Sequence, residues 1–486
     1  MITEPEARPP VSCFKPFLAT SCVIPVALVL GAMFGQSAEM LPQLMEPDSY
    51  IKITRDDATW IASIPTIGTI VTSWICGFLA DIFGRLRMIQ ASLFFFMVGY
   101  ALVAVSSSIL MLLIGRFLIG MGFGLTFPCF VYVGESAPPI YRGTLLAFIP
   151  LGSSIGLCSM YILGALLPWN IASGVVAFIS VLSLASTFLF YDTPHWLLQK
   201  GRTDEALTSL RRIEHPENVD SRLEEMQEAA LIQKEESANL SFRSFLEPTV
   251  WKPFMMISAL AALQNGSGLY IVVYYTVNFL KEFQASYDPH RITIILGVTR
   301  VLLTGTSSFL LRRIGRRSIG AISGFASSAA LLVIFVFLKL RPEYPILGEE
   351  YTWIPVGALL VYVMTTALGI YPLPWIMPSE LFPIKVRGIM CGFCFAALNL
   401  FIFITLKLYN LMMDALGLEG TILLFAVFSA LYAVFSLTLL METHNKTLDQ
   451  IEHEFSNGHK NKRDQLQRNG GEILSMPLVP PLQNSL

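Results

Sequence analysis

Apolar residues dominate twelve stretches of the chain, at about 16–37, 59–80, 88–107, 109–134, 144–166, 171–191, 254–280, 292–311, 318–339, 353–378, 389–412 and 421–441. Each is close to the ~20 residues that carry an α-helix across the hydrocarbon core of a bilayer. A backbone inside lipid must satisfy its own hydrogen bonds, so runs of this length predict helices rather than irregular chain. Only Ser106, Ser107 and Ser108 part the third run from the fourth, and a few residues around Pro168 and Asn170 part the fifth from the sixth, so these pairs read as hairpins. The long break at 192–252 is rich in Glu, Lys and Arg and holds helical stretches such as 222–232, the pattern of an amphipathic, solvated linker. The fold class is therefore all-α integral membrane, with twelve transmembrane helices as two six-helix bundles. The chain divides into a tail at 1–15, a first half at 16–191, a linker at 192–252, a second half at 253–441 and a polar, partly disordered tail at 442–486.

Basic residues near span ends mark the cytoplasmic side. Arg85, Arg87, Arg142, Arg312, Arg313, Arg316, Arg317, Lys385 and Arg387 all fall on one side, which places both tails and the linker in the cytoplasm. The glycosylation patterns at Asn239 and Asn445 lie on that side and are expected to stay unmodified.

Composition narrows the function. Of 486 residues, 54% are hydrophobic and 14% charged, against about 25% charged in soluble proteins, which excludes a soluble multidomain enzyme. A net charge of -2 gives no basic surplus for nucleic acid. Six of the seven cysteines lie within apolar runs, and the six histidines fall in loops or tails without metal-ligand spacing, so neither a disulfide framework nor a metal site is expected. Cys391 and Cys394 form a C-x-x-C inside an apolar span, where small-residue helix packing is the expected role. No Gly-rich phosphate loop followed by Lys-Ser/Thr occurs, so ATP coupling has no support and no cofactor is expected.

An internal repeat is visible. The pattern E-x-x-P-x-x-x-R-G occurs at 135–143 and again at 380–388. Gly84-Arg85 has a counterpart in Gly315-Arg316, and Asp192-Thr193 is echoed by Glu442-Thr443. Three pairs in one order imply two homologous halves, a transporter plan with the substrate site between them near the midplane. Glu135 and Glu380 close spans whose loops carry Arg142 and Arg387, and carboxylate with guanidinium forms short, bidentate bonds. The same charges also fit solvated loop positions obeying the positive-inside rule.

These motifs, with G-F-L-A-D-I-F-G-R from Gly77, G-R-F-L-I-G from Gly115, P-H-W-L-L-Q-K-G-R from Pro194, P-L-P-W-I-M-P-S-E-L-F-P from Pro372 and E-T-H-N-K-T-L-D-Q-I from Glu442, resemble those of the sugar porters of the major facilitator superfamily. T-W-I-A-S-I-P from Thr59 resembles the insect branch of facilitated trehalose transporters. The resemblance covers about 16–452 and implies the major facilitator fold and facilitative transport of a sugar, trehalose or a hexose, at the plasma membrane, without enzyme activity. It implies a gate of Glu135, Arg142, Arg316, Glu380 and Arg387 supported by Asp81 and Arg85. Arg312 stands where the family has an acid and Leu86 where it has a basic residue.

For the substrate path the resemblance points to Gln264 and Trp375, which match, and to Asn265, Tyr270 and Asn399, which replace a Gln, an Asn and a Trp; Pro150 likewise replaces a sugar-contacting Gln. The lost polar set allows a second reading, a sugar sensor that binds without flux. Arg300 stands where the family has a substrate-facing Asn. It either snorkels to the headgroups or faces the cavity, where it would suit an organic anion. Proton-coupled relatives carry an Asp in span one; here the matching position is Met33 or Gln36, which implies uniport. Glu39, at the outer end of that span, is expected to face water.

Overall fold

The computed structural model describes residues 14–137, 139–213, 219–238, 245–283, 287–344, 350–444, 446, 450 and 455, and all its regular elements are helical. In the first half, α1 (Phe14–Thr20) leads into α2 (Val23–Leu44), followed by α3 (Arg55–Phe83), α4 (Arg85–Ala104), α5 (Ile109–Gly124), α6 (Phe127–Ser136), α7 (Pro139–Leu166) and α8 (Trp169–Thr187). The linker folds into α9 (Pro194–Gln199), α10 (Thr203–Ile213) and α11 (Val219–Ala238). The second half comprises α12 (Pro248–Gly266), α13 (Leu269–Tyr274), α14 (Thr276–Glu282), α15 (Pro289–Arg313), α16 (Arg316–Leu340), α17 (Trp353–Leu368), α18 (Leu373–Leu381) and α19 (Ile384–Thr438).

Among the described residues, nine continuous helical stretches are long and apolar enough to cross a membrane. One of them, α19, holds two spans turned about Gly417, whose φ of 66° interrupts the helical geometry. The two predicted spans outside those nine are α12–α14, broken into short helices, and α15, which carries Arg300 and terminal arginines. The break after α12 has a local cause. Gly268 adopts φ 81°, a left-handed conformation that favours glycine, and a Cβ there would lie 2.3 Å from the Phe425 ring. Helix starts are capped by short polar side chains: at α3, Thr54 accepts from the Asp57 N–H at 3.1 Å while the Asp57 carboxylate accepts from the Thr54 N–H at 2.8 Å.

The linker helices pack beside α1, and Lys252 donates to the Phe455 carbonyl, at one end of the bundle, the linker face; the other end is the opposite face. Burial differs between them. Midway and toward the opposite face, one cluster of buried side chains joins both halves, including Phe34, Phe123 and Tyr161 of the first and Tyr270, Tyr274 and Phe279 of the second. Toward the linker face the buried residues separate into one cluster for each half, around Leu93 and Tyr132 and around Leu373 and Tyr432. The halves thus share one core toward the opposite face and keep separate cores toward the linker face, where they still meet along α3 and α19: a Cβ on Gly77 would lie 3.2 Å from the Gly388 carbonyl. The six described cysteines are buried and free, and a Cβ on Gly392 would lie 2.8 Å from the Ser73 carbonyl, so the C-x-x-C segment serves a close approach of α19 to α3. The glycosylation patterns at Asn239 and Asn445 lie outside the described residues.

Candidate functional site

Between the halves lies a cavity of about 150 Å³. Its lining runs from Phe34 and Phe123 at mid-depth to Phe130, Leu311 and Ile376 toward the linker face. The polar groups on its wall are few: Ser and Thr hydroxyls such as Ser73, Ser153 and Thr304, with Tyr371, Trp375 and Asn399. Trp375 stacks on Phe395 at 5.4 Å between ring centroids, and its indole N–H donates to the Tyr270 hydroxyl at 3.1 Å. Asn399 is fully buried; its amide N–H donates to the Phe395 carbonyl at 2.8 Å, and its carbonyl oxygen has no hydrogen-bond partner among the described residues.

Of the substrate residues expected from the sequence, the structure brings Trp375 and Asn399 to the cavity wall and sets the others behind it. Gln264 donates to the Ile370 carbonyl at 2.6 Å and to the Tyr371 carbonyl at 3.0 Å. Pro374 has no N–H to give the Ile370 carbonyl four residues before it, so Gln264 fills a vacancy that the proline creates. Asn265 donates to the Ala261 carbonyl at 2.8 Å, within its own helix. Tyr270 is buried on α13 against Phe34 of the other half at 6.3 Å. Arg300 is 8% exposed, buried rather than extended to the surface; its guanidinium lies over the Tyr371 ring at 4.3 Å. The space beside it, about 20 Å³, is large enough for about one water. Tyr371 lines both spaces and so separates Arg300 from the larger cavity.

The charged residues at the linker face form two matching clusters. In the first half, Arg85 donates to Glu135 at 3.2 Å, to the Ala80 carbonyl at 3.0 Å and from its backbone N–H to Asp192 at 3.1 Å. In the second, Arg316 grips Glu380 at 3.2 and 2.7 Å, donates to the Leu311 carbonyl at 2.9 Å and from its backbone to Glu442 at 2.8 Å. Thr193 donates to Glu135 as Thr443 does to Glu380. Asp192 and Glu442 therefore sit at the N-termini of α4 and α16, where backbone N–H groups favour anions. The glycines before them make room, since a Cβ at Gly84 or Gly315 would meet these carboxylates at 2.1 or 2.5 Å. Each glutamate thus pairs with the arginine of the Gly-Arg turn in its own half, not with the arginine of its own nonapeptide. Arg142 is exposed, and Arg387 donates to the Phe382 carbonyl at 3.1 Å. Asp81 supports Arg85 at 3.0 Å from a largely exposed position. Leu86, where a basic residue was expected, is buried and its N–H faces Asp192.

Burial pushes the Asp192 carboxyl above its ordinary pKa despite the N–H groups of Thr193, Leu86 and Arg85. Burial acts the same way on Glu442, but there the N–H groups of His444, Arg316 and Arg317 outweigh it and hold the carboxyl below its usual value.

Deep in the first half, Arg116 is completely buried and donates to Gln36 at 2.7 Å, to Ser37 and to the Ile61 carbonyl at 3.1 Å. Gln36, with Ser37 beside it, thus faces the buried arginine, and Met33 packs in the apolar core. The expectation that Glu39 faces water is overturned. α2 continues to Leu44, and Glu39 is 1% exposed, bonded to His290 at 2.7 Å.

The opposite face is held by residues that the sequence reading passed over. Lys407 of α19 lies 3.9 Å from the Trp60 ring centroid and donates to Thr59 at 2.9 Å. Asn410 donates to the Arg55 carbonyl at 3.0 Å. Lys407 carried the same signal as Arg300, a cation inside an apolar span. Nothing in sequence links Glu39 to a histidine 251 positions away.

Two helical bundles around a central cavity, sharing one core toward one face and keeping separate cores toward the other, form the architecture of a multi-pass membrane carrier. The chain belongs to the sugar (and other) transporter family, whose pattern matches residues 30–455. Similar proteins include the facilitated trehalose transporter Tret1 of Bombyx mori, 27% identical over 457 residues spanning 93% of this chain and 90% of that one. Another is the solute carrier family 2 facilitated glucose transporter member 6 of Mus musculus, 28% identical over 452 residues and 90% of each chain. Among solved structures, the inward-open xylose transporter XylE from E. coli matches with a TM-score of 0.72 and 18% identity, over 90% of this chain and 99% of that one. That likeness identifies the major facilitator fold.

Proposed function

We propose that this protein is a facilitator that carries a sugar, trehalose or a hexose, down its gradient across the plasma membrane by alternating exposure of the central cavity. In this reading the linker face is cytoplasmic and the described state opens inward. The observation that carries the proposal is the cavity between the halves, with Trp375 as an aromatic face and the Asn399 amide, whose buried oxygen has no partner among the described residues, on its wall. The names of the relatives, facilitated trehalose and glucose transporters, support the substrate class and the uniport mode. The neutral Gln36 opposite Arg116 supports uniport as well, since an amide neither takes up nor releases a proton near neutral pH. Gln264, Asn265, Tyr270 and Arg300 shape the site from behind its wall, and the linker-face clusters, with Arg142 and Arg387 nearby, act in gating.

The test is uptake of labelled trehalose and glucose by vesicles containing the purified protein, with a proton gradient imposed or collapsed. Saturable entry that levels at the external concentration, and that Trp375→Leu sharply reduces, is the expected result. Binding without entry would replace the carrier with a sensor, and uphill accumulation driven by protons would replace uniport with symport.

A further inference from the structure

At the opposite face the two halves meet through a carboxylate and an imidazole. Glu39 lies on α2 of the first half and His290 in the first turn of α15 of the second, ahead of the apolar span that begins near Ile292. Their side chains approach to 2.7 Å. α7 makes the space, because a Cβ on Gly164 would lie 2.3 Å from the Glu39 Cβ. Asp288 caps α15 by accepting from the His290 N–H at 3.0 Å, which sets the imidazole toward α2. The second oxygen of Glu39 has no hydrogen-bond partner among the described residues. A buried carboxylate held by one group depends strongly on that group, since losing it leaves the carboxylate desolvated and unpaired. The His290 side chain keeps 33% of its surface, so water and protons reach it.

We propose that Glu39 and His290 are the gate pair of the opposite face, joined while that face is shut, parted when it opens, and joined more firmly when His290 carries a proton. The pH on that side then sets how readily the carrier presents its site there. This rests on the reading of the protein as an alternating-access carrier. The groups around the imidazole agree on the sign. Glu39 of α2 and Asp288 of its own turn favour the protonated form, Lys281 of α14 opposes it, and Arg291 lies 3.6 Å from Asp288. The hydrogen bond that the imidazole donates to Glu39, against the opposing effect of burial, raises the His290 pKa above its ordinary value. With the pair parted, the imidazole returns toward about 6.5. The shut state thus binds the proton more tightly. Its added stability is complete below the open-state pKa and is lost as pH rises through the shut-state pKa.

The experiment uses the full chain in proteoliposomes, with labelled glucose or trehalose, a fixed internal pH and an external pH varied from about 5.5 to 8.5, the range over which imidazoles titrate. The half-saturation concentration for outside sugar should rise roughly three- to fivefold toward the acid end, the bias that one partly exposed ion pair supplies. Glu39→Gln and His290→Gln should flatten that profile, while His290→Lys should hold it near the acid limit at every pH. A second readout needs no transport: backbone hydrogen exchange at residues 39–44 and 276–282, at one pH and without sugar, should be faster in Glu39→Gln and His290→Gln. A profile that is flat in the wild type or unchanged in the variants, or exchange no faster than wild type, overturns the gate pair and leaves sugar transport standing. Faster exchange in the variants of a protein that moves no sugar would uphold the pair and overturn the transport reading.

Discussion

The linker face and the opposite face are held by different kinds of contact. At the linker face, Arg85 with Glu135, Thr193 and Asp192 reproduces nearly bond for bond what Arg316 makes with Glu380, Thr443 and Glu442, and every one of these bonds closes within its own half. At the opposite face, Lys407 with Thr59 and Trp60, Asn410 with Arg55 and His290 with Glu39 each join one half to the other. None of these contacts has a counterpart in the repeat. The repeated charged residues therefore fix each half as a body, whereas the polar contacts at the opposite face that hold one body against the other come from residues particular to each half. That division suits a carrier, because a rocking motion needs stiff halves and a seam made of separable contacts.

The largest expected effect tests the stiffness of the halves. Glu135→Ala leaves the Arg85 side chain, only 8% exposed, with Asp81 but without its glutamate, and should destabilise the protein by about 2 kcal/mol, as should Glu380→Ala in the second half. Denaturation in detergent measures both. Because the clusters share no partner, the double variant should equal the sum of the two within about 0.5 kcal/mol; strong coupling between them would break the comparison by showing that the clusters act across the halves.

A smaller change is expected at the seam. Lys407→Met removes a cation from the Trp60 face and a donor from Thr59, and should weaken closure of the opposite face by about 1 kcal/mol. The readout is a lower half-saturation concentration for outside sugar with little change in stability. A loss of stability as large as that of Glu135→Ala would make Lys407 part of the scaffold and blur the distinction between the faces.

The smallest effect separates the twin clusters from each other. Glu442, held below its usual pKa, contributes stability that is present above the unfolded value and lost as pH falls through the folded one. Asp192, raised by burial, has the opposite sign: its ionisation opposes folding, so its contribution declines as pH rises from the unfolded value through the folded one. Melting curves across the acid range should therefore lose part of their acid decline in Glu442→Gln and become steeper in Asp192→Asn. Parallel curves for the two variants would show that the clusters titrate alike.

The twelve spans, the division into halves and the repeat were legible in the sequence because lipid imposes length and apolarity directly on the chain, and because homologous halves keep their motifs in order. The pairing inside each cluster was only half legible. The nonapeptide shows a glutamate and an arginine together, but helix termini bring the Gly-Arg turn closer to the glutamate than its own loop. Gln264 has the chemistry of a sugar ligand and instead serves the carbonyl that Pro374 releases, because a polar residue in an apolar span does not announce which neighbour it faces. Arg300 could be read as snorkelling or cavity-facing, and the structure places it over Tyr371, beside a space too small for a sugar.

By itself the sequence determined that this is a two-half helical membrane protein with charged, repeated motifs at one face, since those features depend on local composition and spacing. The tertiary structure alone decided that Gln36 rather than Met33 meets Arg116, that Trp375 and Asn399 reach the cavity, and that Glu39 is buried against His290. Those facts depend on which helix faces approach each other across the halves, and such contacts between distant residues are set by packing in three dimensions rather than by any pattern along the chain.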